Sequence, residues 1–282
     1  MYKILEKKIL NKDVTKMIID APLVAKRCEA GQFIILRAKD DSERIPLTIN
    51  DYDRKKGTIS IVFQVVGEAT IELNKLCEGD EIETFVGPLG KKTDLDGLKK
   101  AIVIGGGLGS AIAYPLAKAM KEKGIDVTSI CGFRNKDLII LEDEFKKVSN
   151  KLIITTDDGS NGIKGFVTDR LEELLKVGSD YDAVYVIGPL IMMKFVSLLT
   201  LKYNLKTIVS MNPLMVDGTG MCGGCRLTYD GKIKFACVDG PDFDGHKVDF
   251  DEAIYRNNIY KDFERKRKED CNLLKWGVNE YE

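Results

Sequence analysis

Asp217, Cys222, Cys225 and Cys237 are the residues whose types and spacing point most directly to chemistry. They run Asp-x4-Cys-x2-Cys, and Cys237 follows after eleven more residues. A plant-type 2Fe-2S site has Cys-x4-Cys-x2-Cys and one more distant cysteine. Here a carboxylate stands first, so the donor set is three thiolates and one carboxylate. Gly218, Gly220, Gly223 and Gly224 between them let the backbone fold tightly and aim amides at cluster sulfurs. The spacing reads as a metal-cluster cradle and makes electron transfer the leading reading. The same set would also satisfy a structural zinc ion. Zinc sites usually recruit histidine, and the one histidine, His246, reads as a loop residue rather than a ligand or general base.

Cys28, Cys77, Cys131 and Cys271 lie apart from this set and read as isolated free thiols. No leader-like start and no apolar run long enough to cross a bilayer are visible, so the expectation is a cytoplasmic protein with no membrane association. With 282 residues, 44% hydrophobic and 31% charged, the chain can bury two ordinary cores. A net charge of −1 and the lack of a basic arm argue against nucleic-acid binding. No acid–base dyad or nucleophilic triad is visible.

The elements that must position the cluster change character along the chain. Lys8–Leu10, Thr15–Ile19, Phe33–Ala38, Thr58–Val66 and Glu81–Val86 are short β-branched stretches divided by glycines, which predicts an antiparallel barrel or sandwich. From Lys100 strands and helices alternate: Ala101–Ile104 into Ser110–Glu122, Asp126–Gly132, Leu152–Thr155 into Thr168–Leu175, and Ala183–Ile187 into Leu190–Leu201. That rhythm predicts a parallel sheet covered by helices. The expected domains are a barrel over 1–98, an α/β nucleotide-binding domain over 99–210, a cluster segment over 211–246 and a helical extension over 247–282.

Gly105, Gly106, Gly107 and Gly109 form a turn between the first parallel strand and its helix, where free amides and the helix dipole can hold a pyrophosphate. The turn departs from the dinucleotide fingerprint: Ser110 replaces the third glycine, and the second strand ends in Cys131-Gly132-Phe133-Arg134 without an acidic residue for the ribose. Arg134 suits a 2′-phosphate, a diphosphate or a ribose equally. Asp157, beyond the third parallel strand, is a further nucleotide-site candidate.

A barrel, a nucleotide sheet and a cluster loop in this order resemble the ferredoxin reductase-like flavoproteins, and five short motifs carry the resemblance. Arg44-Ile-Pro46-Leu47-Thr48 is similar to that family's flavin motif. The resemblance implies that Arg44 meets the FAD pyrophosphate and that Thr48, the one catalytic candidate, lies close to the flavin N5. Val65-Val66-Gly67-Glu-Ala-Thr70 resembles the second flavin segment, implying phosphate held by Val66, Gly67 and Thr70. Gly87-Pro-Leu-Gly90 resembles the turn closing the flavin domain, and Gly105–Gly109 with Tyr114-Pro115-Leu-Ala resembles the nucleotide turn and first helix. Gly188-Pro189 falls where the family has Cys-Gly-Pro beside the nicotinamide, with Ile187 in place of the cysteine.

Within that family, the cluster loop resembles both the electron-transfer subunit of dihydroorotate dehydrogenase and the small subunit of the bifurcating NADH-dependent ferredoxin:NADP oxidoreductases. Asp217, standing where the dihydroorotate subunits have cysteine, and the long C-terminal extension favour the second. The resemblance implies FAD, NAD(H) and a 2Fe-2S cluster, with hydride passing from nicotinamide C4 to flavin N5 and single electrons passing on to the cluster. It also implies a partner, a large iron-sulfur flavoprotein subunit binding NADP(H) and ferredoxin. A carboxylate donates less to iron than a thiolate, so Asp217 is expected to raise the cluster potential. The extension, Val248 to Lys275, is expected to be a charged helix, with partner docking as its sharper role. A zinc-stabilised or redox-sensing binding protein is the reading from another class.

Overall fold

The computed structural model describes residues 2–178, 180–261, 263 and 266. Cys271 and most of the charged run after Lys261 lie outside the described residues.

The first unit is a seven-stranded antiparallel sheet of β1 (Tyr2–Asn11), β2 (Val14–Asp20), β3 (Phe33–Arg37), β4 (Ile45–Asp53), β5 (Thr58–Gln64), β6 (Glu81–Ile82) and β7 (Thr84–Leu89), ordered β6-β1-β2-β5-β4-β3-β7. β6 and β7 occupy opposite edges yet are separated in sequence by Glu83 alone, so the sheet must curl into a nearly closed barrel. Alternation drives it: Met17 and Ile19 on β2 and Ile59, Ile61 and Phe63 on β5 all point into one core. The helical turn α1 (Pro22–Ala25) and α2 (Glu68–Lys75) add Val24, Ala25 and Leu73 to that core.

β4 was not among the strands expected from sequence. Pro46, Asn50, Asp51 and Asp53 break its apolar alternation, and its pairing with β5 shifts register between Ile49 and Asp51. A strand with a bulge and polar residues on both faces carries no clear period-two signal.

The second unit is a six-stranded sheet built from β8 (Lys100–Gly106), α3 (Gly109–Glu122), β9 (Asp126–Phe133), α4 (Glu142–Val148), β10 (Lys151–Thr156), α5 (Val167–Lys176), β11 (Ala183–Ile187), α6 (Leu190–Lys202) and β12 (Thr207–Ser210). These strands are parallel in the order β10-β9-β8-β11-β12. β8 shows why the run reads as continuously apolar: Ala101 and Val103 face α3 and α4, whereas Ile102 and Ile104 face α5 and α6.

The cluster segment is sewn into this sheet. β13 (Arg226–Tyr229) and β14 (Lys232–Phe235) form a hairpin, α7 (Ala236–Asp239) follows, and β15 (Asp242–Asp244) returns antiparallel to β12 as the sixth strand. α8 (Phe250–Asn258) then buries Phe250 and Ala253 against the core under α6, with Asp251 paired to Lys194. The described start of the extension therefore docks on its own chain. Among the described residues no helix is long and apolar enough to cross a membrane.

Candidate functional site

The strand order reverses between β8 and β11, and a crevice opens there at the carboxyl ends of the parallel strands. β8 runs into the glycine turn. Gly107 adopts φ +56 and its amide donates to the Gly132 carbonyl at 2.8 Å, which ties the turn to β9. The close-packing glycine that the fingerprint places at position 110 is Gly109 instead: a Cβ there would lie 2.4 Å from the Ile187 carbonyl oxygen and 2.7 Å from Gly188 Cα. Ser110 can be a serine because it sits behind the turn, fully buried against Gly105, whose own missing Cβ leaves it room.

A cleft of about 1060 Å³ runs from this crevice to the barrel. The barrel wall is Pro46, Leu47 and Thr48 on β4, with Thr48 paired across the sheet to Phe33. The opposite wall is Gly106, Gly107 and Gly109, and Gly188 and Pro189 continue it after β11. Arg134 and Asp157, just past β9 and β10, line the same cleft, and the Asp157 amide bonds the Phe133 carbonyl at 3.0 Å. Such a volume exceeds a typical single drug-sized pocket and suits a cofactor with a second nucleotide.

Other expected residues do not line the cleft. Gly105 supports Ser110. A Cβ on Gly87 would meet Ile34 Cγ2 at 2.6 Å, and one on Gly90 (φ +74) would meet the Phe33 ring at 2.8 Å, so this turn seats the Phe33 side chain that does line the cleft. Val66, Gly67 and Thr70 sit at the start of α2, where the Thr70 hydroxyl accepts from the Val66 and Gly67 amides at 3.0 Å each and donates to the Gly67 carbonyl. Arg44 lies off the cleft lining and donates from Nε to the Val216 carbonyl at 3.1 Å, joining the flavin-like motif to the residue before Asp217.

Sequence reasoning missed Gln64, Phe166, the stretch from Ser210 to Pro213 and Met215, which also line the cleft. The break of β12 into Asn212-Pro213 is the one local signal that the chain turns there.

The cluster candidates converge through the β13–β14 hairpin. Arg226 pairs with Phe235, which places Cys225, one residue before the first strand, and Cys237, two residues after the second, with their sulfurs 3.2 Å apart. Both are buried, whereas Cys222 is exposed beside Met221. Asp217 accepts from the Thr219 amide at 2.7 Å and the Cys222 amide at 2.8 Å, and these bonds hold its carboxyl below the usual range. Gly224 and Cys237 amides approach the Cys222 and Cys225 sulfurs at 3.5 Å. Burial, reinforced by the Cys225 thiol, pushes the Cys237 thiol up to about 12, with the Gly220 amide opposing. Cys237 is thus a thiol until a metal displaces its proton.

Among the described residues no three such side chains already stand at metal-ligand spacing. Two thiolates on one tetrahedral metal with bonds of ~2.3 Å stand about 3.8 Å apart, so the Cys225–Cys237 pair needs only a small separation. Amides already aimed at sulfur, and glycines at 218 and 220 with φ +77 and +86, fit an anionic thiolate cluster. Cys28 and Cys131 are buried far in sequence from this set, and burial raises both thiols, to about 11 and about 12.

A barrel joined to a doubly wound sheet by a nucleotide cleft, with a thiolate cradle beside it, defines an oxidoreductase of the ferredoxin reductase fold. Residues 103–198 match the oxidoreductase NAD-binding domain, and residues 212–249 match the iron-sulfur cluster binding domain of dihydroorotate dehydrogenase B. The chain belongs to the family of dihydroorotate dehydrogenase B electron-transfer subunits and their homologues. It is 44% identical over 265 residues to the electron transfer subunit homolog of Thermotoga maritima, covering 94% of this chain and 93% of that one. An uncharacterized protein in the adh 3′ region of Clostridium beijerinckii is 52% identical over 274 residues, covering 94% and 93%. Among solved structures, a chain of the NADH-dependent reduced ferredoxin-NADP oxidoreductase, studied for flavin-based electron bifurcation, superposes with a TM-score of 0.90 at 43% identity, covering 95% of this chain and 97% of that one. The cluster domain match answers the zinc alternative in favour of iron and sulfur.

Proposed function

We propose that this chain is the NAD(H)-reacting small subunit of an NADH-dependent reduced ferredoxin:NADP oxidoreductase, carrying FAD and a 2Fe-2S cluster. The observation that carries the reading is the single cleft with Pro46–Thr48 on one wall and Gly106–Gly109 on the other. The cleft would hold FAD and NADH, and bound FAD would supply the conversion of a two-electron hydride donor into single electrons for the cluster.

The chain's own residues supply binding and geometry. Gly109 offers its backbone amide at the start of α3 to a pyrophosphate, with the Gly107 amide held by the Gly132 carbonyl to fix the turn, and Arg134 and Asp157 frame a ribose. Gly188 and Pro189 would border the nicotinamide, and Thr48, which lines the cleft, would supply a hydroxyl to hydrogen-bond the flavin. Arg44 lies off the cleft lining with its Nε on the Val216 carbonyl, and its terminal guanidinium nitrogens would serve the FAD pyrophosphate from there, joining flavin and cluster loop through one side chain. Asp217, Cys222, Cys225 and Cys237 are the cluster ligands. The electrons leave toward a large iron-sulfur flavoprotein subunit that binds NADP(H) and ferredoxin.

An anaerobic visible and EPR spectrum of the purified chain, with iron, zinc and flavin quantified before and after NADH and then NADPH, tests this. Flavin bleached by NADH together with an EPR signal from a reduced 2Fe-2S cluster supports the reading. A colourless zinc protein, or flavin that neither nucleotide bleaches, sinks it.

The second reading is an electron-transfer subunit serving dihydroorotate oxidation, supported by the cluster domain match and the Thermotoga maritima relative. Asp217, standing first in the ligand spacing where the dihydroorotate subunits have cysteine, favours the first. Affinity capture separates them: the partner is a large iron-sulfur flavoprotein in one case and a barrel dehydrogenase in the other.

A further inference from the structure

α3 contains a proline at its seventh residue, and Pro115 has no amide hydrogen. The Ala111 carbonyl, four residues earlier, therefore loses its donor within the helix. Ala111 is 1% exposed, so water cannot take the donor's place. The donor is Asn50 of the barrel, whose Nδ2 reaches the Ala111 carbonyl at 2.6 Å from a side chain that is itself 1% exposed. The next barrel residue, Asp51, accepts from Lys118 Nζ at 2.7 Å two helical turns beyond Ala111. Consecutive residues of β4 are thus clamped to one side of α3.

The location gives the clamp its meaning. Thr48 lies two residues before Asn50 on β4, and Gly109 lies two residues before Ala111 on α3. These residues line opposite walls of the cleft, so one buried hydrogen bond ties the two walls together almost at the point where they face each other. The Asn50 Oδ1 is buried with no hydrogen-bond partner. An apolar side chain would avoid that cost, so what the asparagine contributes at this place is its donor.

We propose that Asn50 is a positioning residue for hydride transfer: by supplying the hydrogen bond that Pro115 removes, it fixes the distance between the flavin wall and the nicotinamide wall. This rests on the assignment of the cleft to flavin and nicotinamide given above. Asn50 touches neither cofactor in this scheme. It acts through the placement of β4 against the first turn of α3, and a displacement of the order of 1 Å between reacting atoms costs up to about a hundredfold in rate.

The test uses the full chain loaded with flavin and cluster, under anaerobic stopped flow with NADH. Four proteins are compared: wild type, Asn50→Leu, Pro115→Ala and the double variant. Pro115→Ala returns an amide hydrogen to Ala111, so it replaces the donor that Asn50→Leu deletes. Asn50→Leu alone is expected to slow flavin bleaching about tenfold while NADH affinity stays within about threefold, and to weaken the long-wavelength nicotinamide–flavin absorption. In the Pro115→Ala background the same substitution is expected to cost less than about twofold, an interaction that a role in general packing would not produce. Where Asn50→Leu fails to fold, Asn50→Gln, which keeps the amide but lengthens its reach by a methylene, is expected to slow bleaching in the same way.

Equal slowing in both backgrounds, or full-rate bleaching with unchanged long-wavelength absorption in Asn50→Leu, would overturn the positioning role alone. A wild-type flavin that NADH does not bleach would overturn the functional assignment and this role with it.

Discussion

Gly109→Ala is the substitution for which the structure gives the sharpest expectation. The added Cβ would lie 2.4 Å from the Ile187 carbonyl oxygen, 2.7 Å from Gly188 Cα and 2.8 Å from the Ile187 carbonyl carbon. All three are backbone atoms, so no rotamer change relieves the clash. Ordinary contact begins near ~3.5 Å, and α3 must therefore retreat from β11 by about 1 Å. Overpacking of this kind costs about 1–3 kcal/mol, and the retreat carries the nucleotide turn away from the loop that receives the nicotinamide. The rate of NADH-dependent flavin bleaching is expected to fall by up to about a hundredfold.

Gly107→Ala is the control, because nothing lies within 4 Å of its Cβ. That substitution leaves α3 in place, strains the left-handed backbone at φ +56 by about 1–2 kcal/mol, and projects a methyl group into the cleft. Its effect should fall on NADH affinity more than on the bleaching rate. Stopped-flow bleaching across NADH concentrations, with thermal melts of both variants, reads the split. A Gly109→Ala protein with wild-type melting temperature, NADH affinity and bleaching rate would refute the packing argument.

Asp217→Cys should lower the cluster midpoint in an anaerobic EPR titration, because a thiolate donates more charge to iron than a carboxylate. An unchanged or higher midpoint would remove Asp217 from the ligand set. Asp157→Ser should improve NADPH relative to NADH by about tenfold in bleaching efficiency, since a carboxylate in the cleft beside Arg134 repels a 2′-phosphate. Burial pushes the Asp242 carboxyl up to about 6, against opposing bonds from Thr93 and Ser210. The folded state thus holds a proton that the unfolded chain releases near pH 4, and stability drains away as pH rises from about 4 to 6. Asp242→Asn should gain about 1–2 kcal/mol in denaturant melts at pH 7.5 and nothing at pH 3.5, the reverse of an ion-paired aspartate.

The cluster-binding segment and the two-part architecture were legible because each has a local signature. Ligand types at fixed spacing, glycines at a strand-to-helix turn and a switch from β-branched runs to strand–helix alternation all repeat within a few residues. β4 escaped because its bulge and polar residues erase the alternation, although the flavin-like motif on it was plain. The glycine turn was located correctly, but the fingerprint's close-packing glycine was sought at 110 when the approach of β11 falls on Gly109.

The sequence alone determined which atoms are available: three thiolates and a carboxylate, a row of free amides, a hydroxyl on a flavin-like strand, and a proline that leaves one helix carbonyl without its donor. Tertiary structure decided which of these meet. Cys225 and Cys237 are brought together by a hairpin register, β15 by pairing with β12, whose partner residues lie 32 to 36 positions earlier, Arg44 by a carbonyl at Val216, and Asn50 by the carbonyl at Ala111. None of these pairings leaves a periodic trace in the chain, because each depends on how two separately folded surfaces pack, and packing complementarity is a property of the assembled core rather than of either segment.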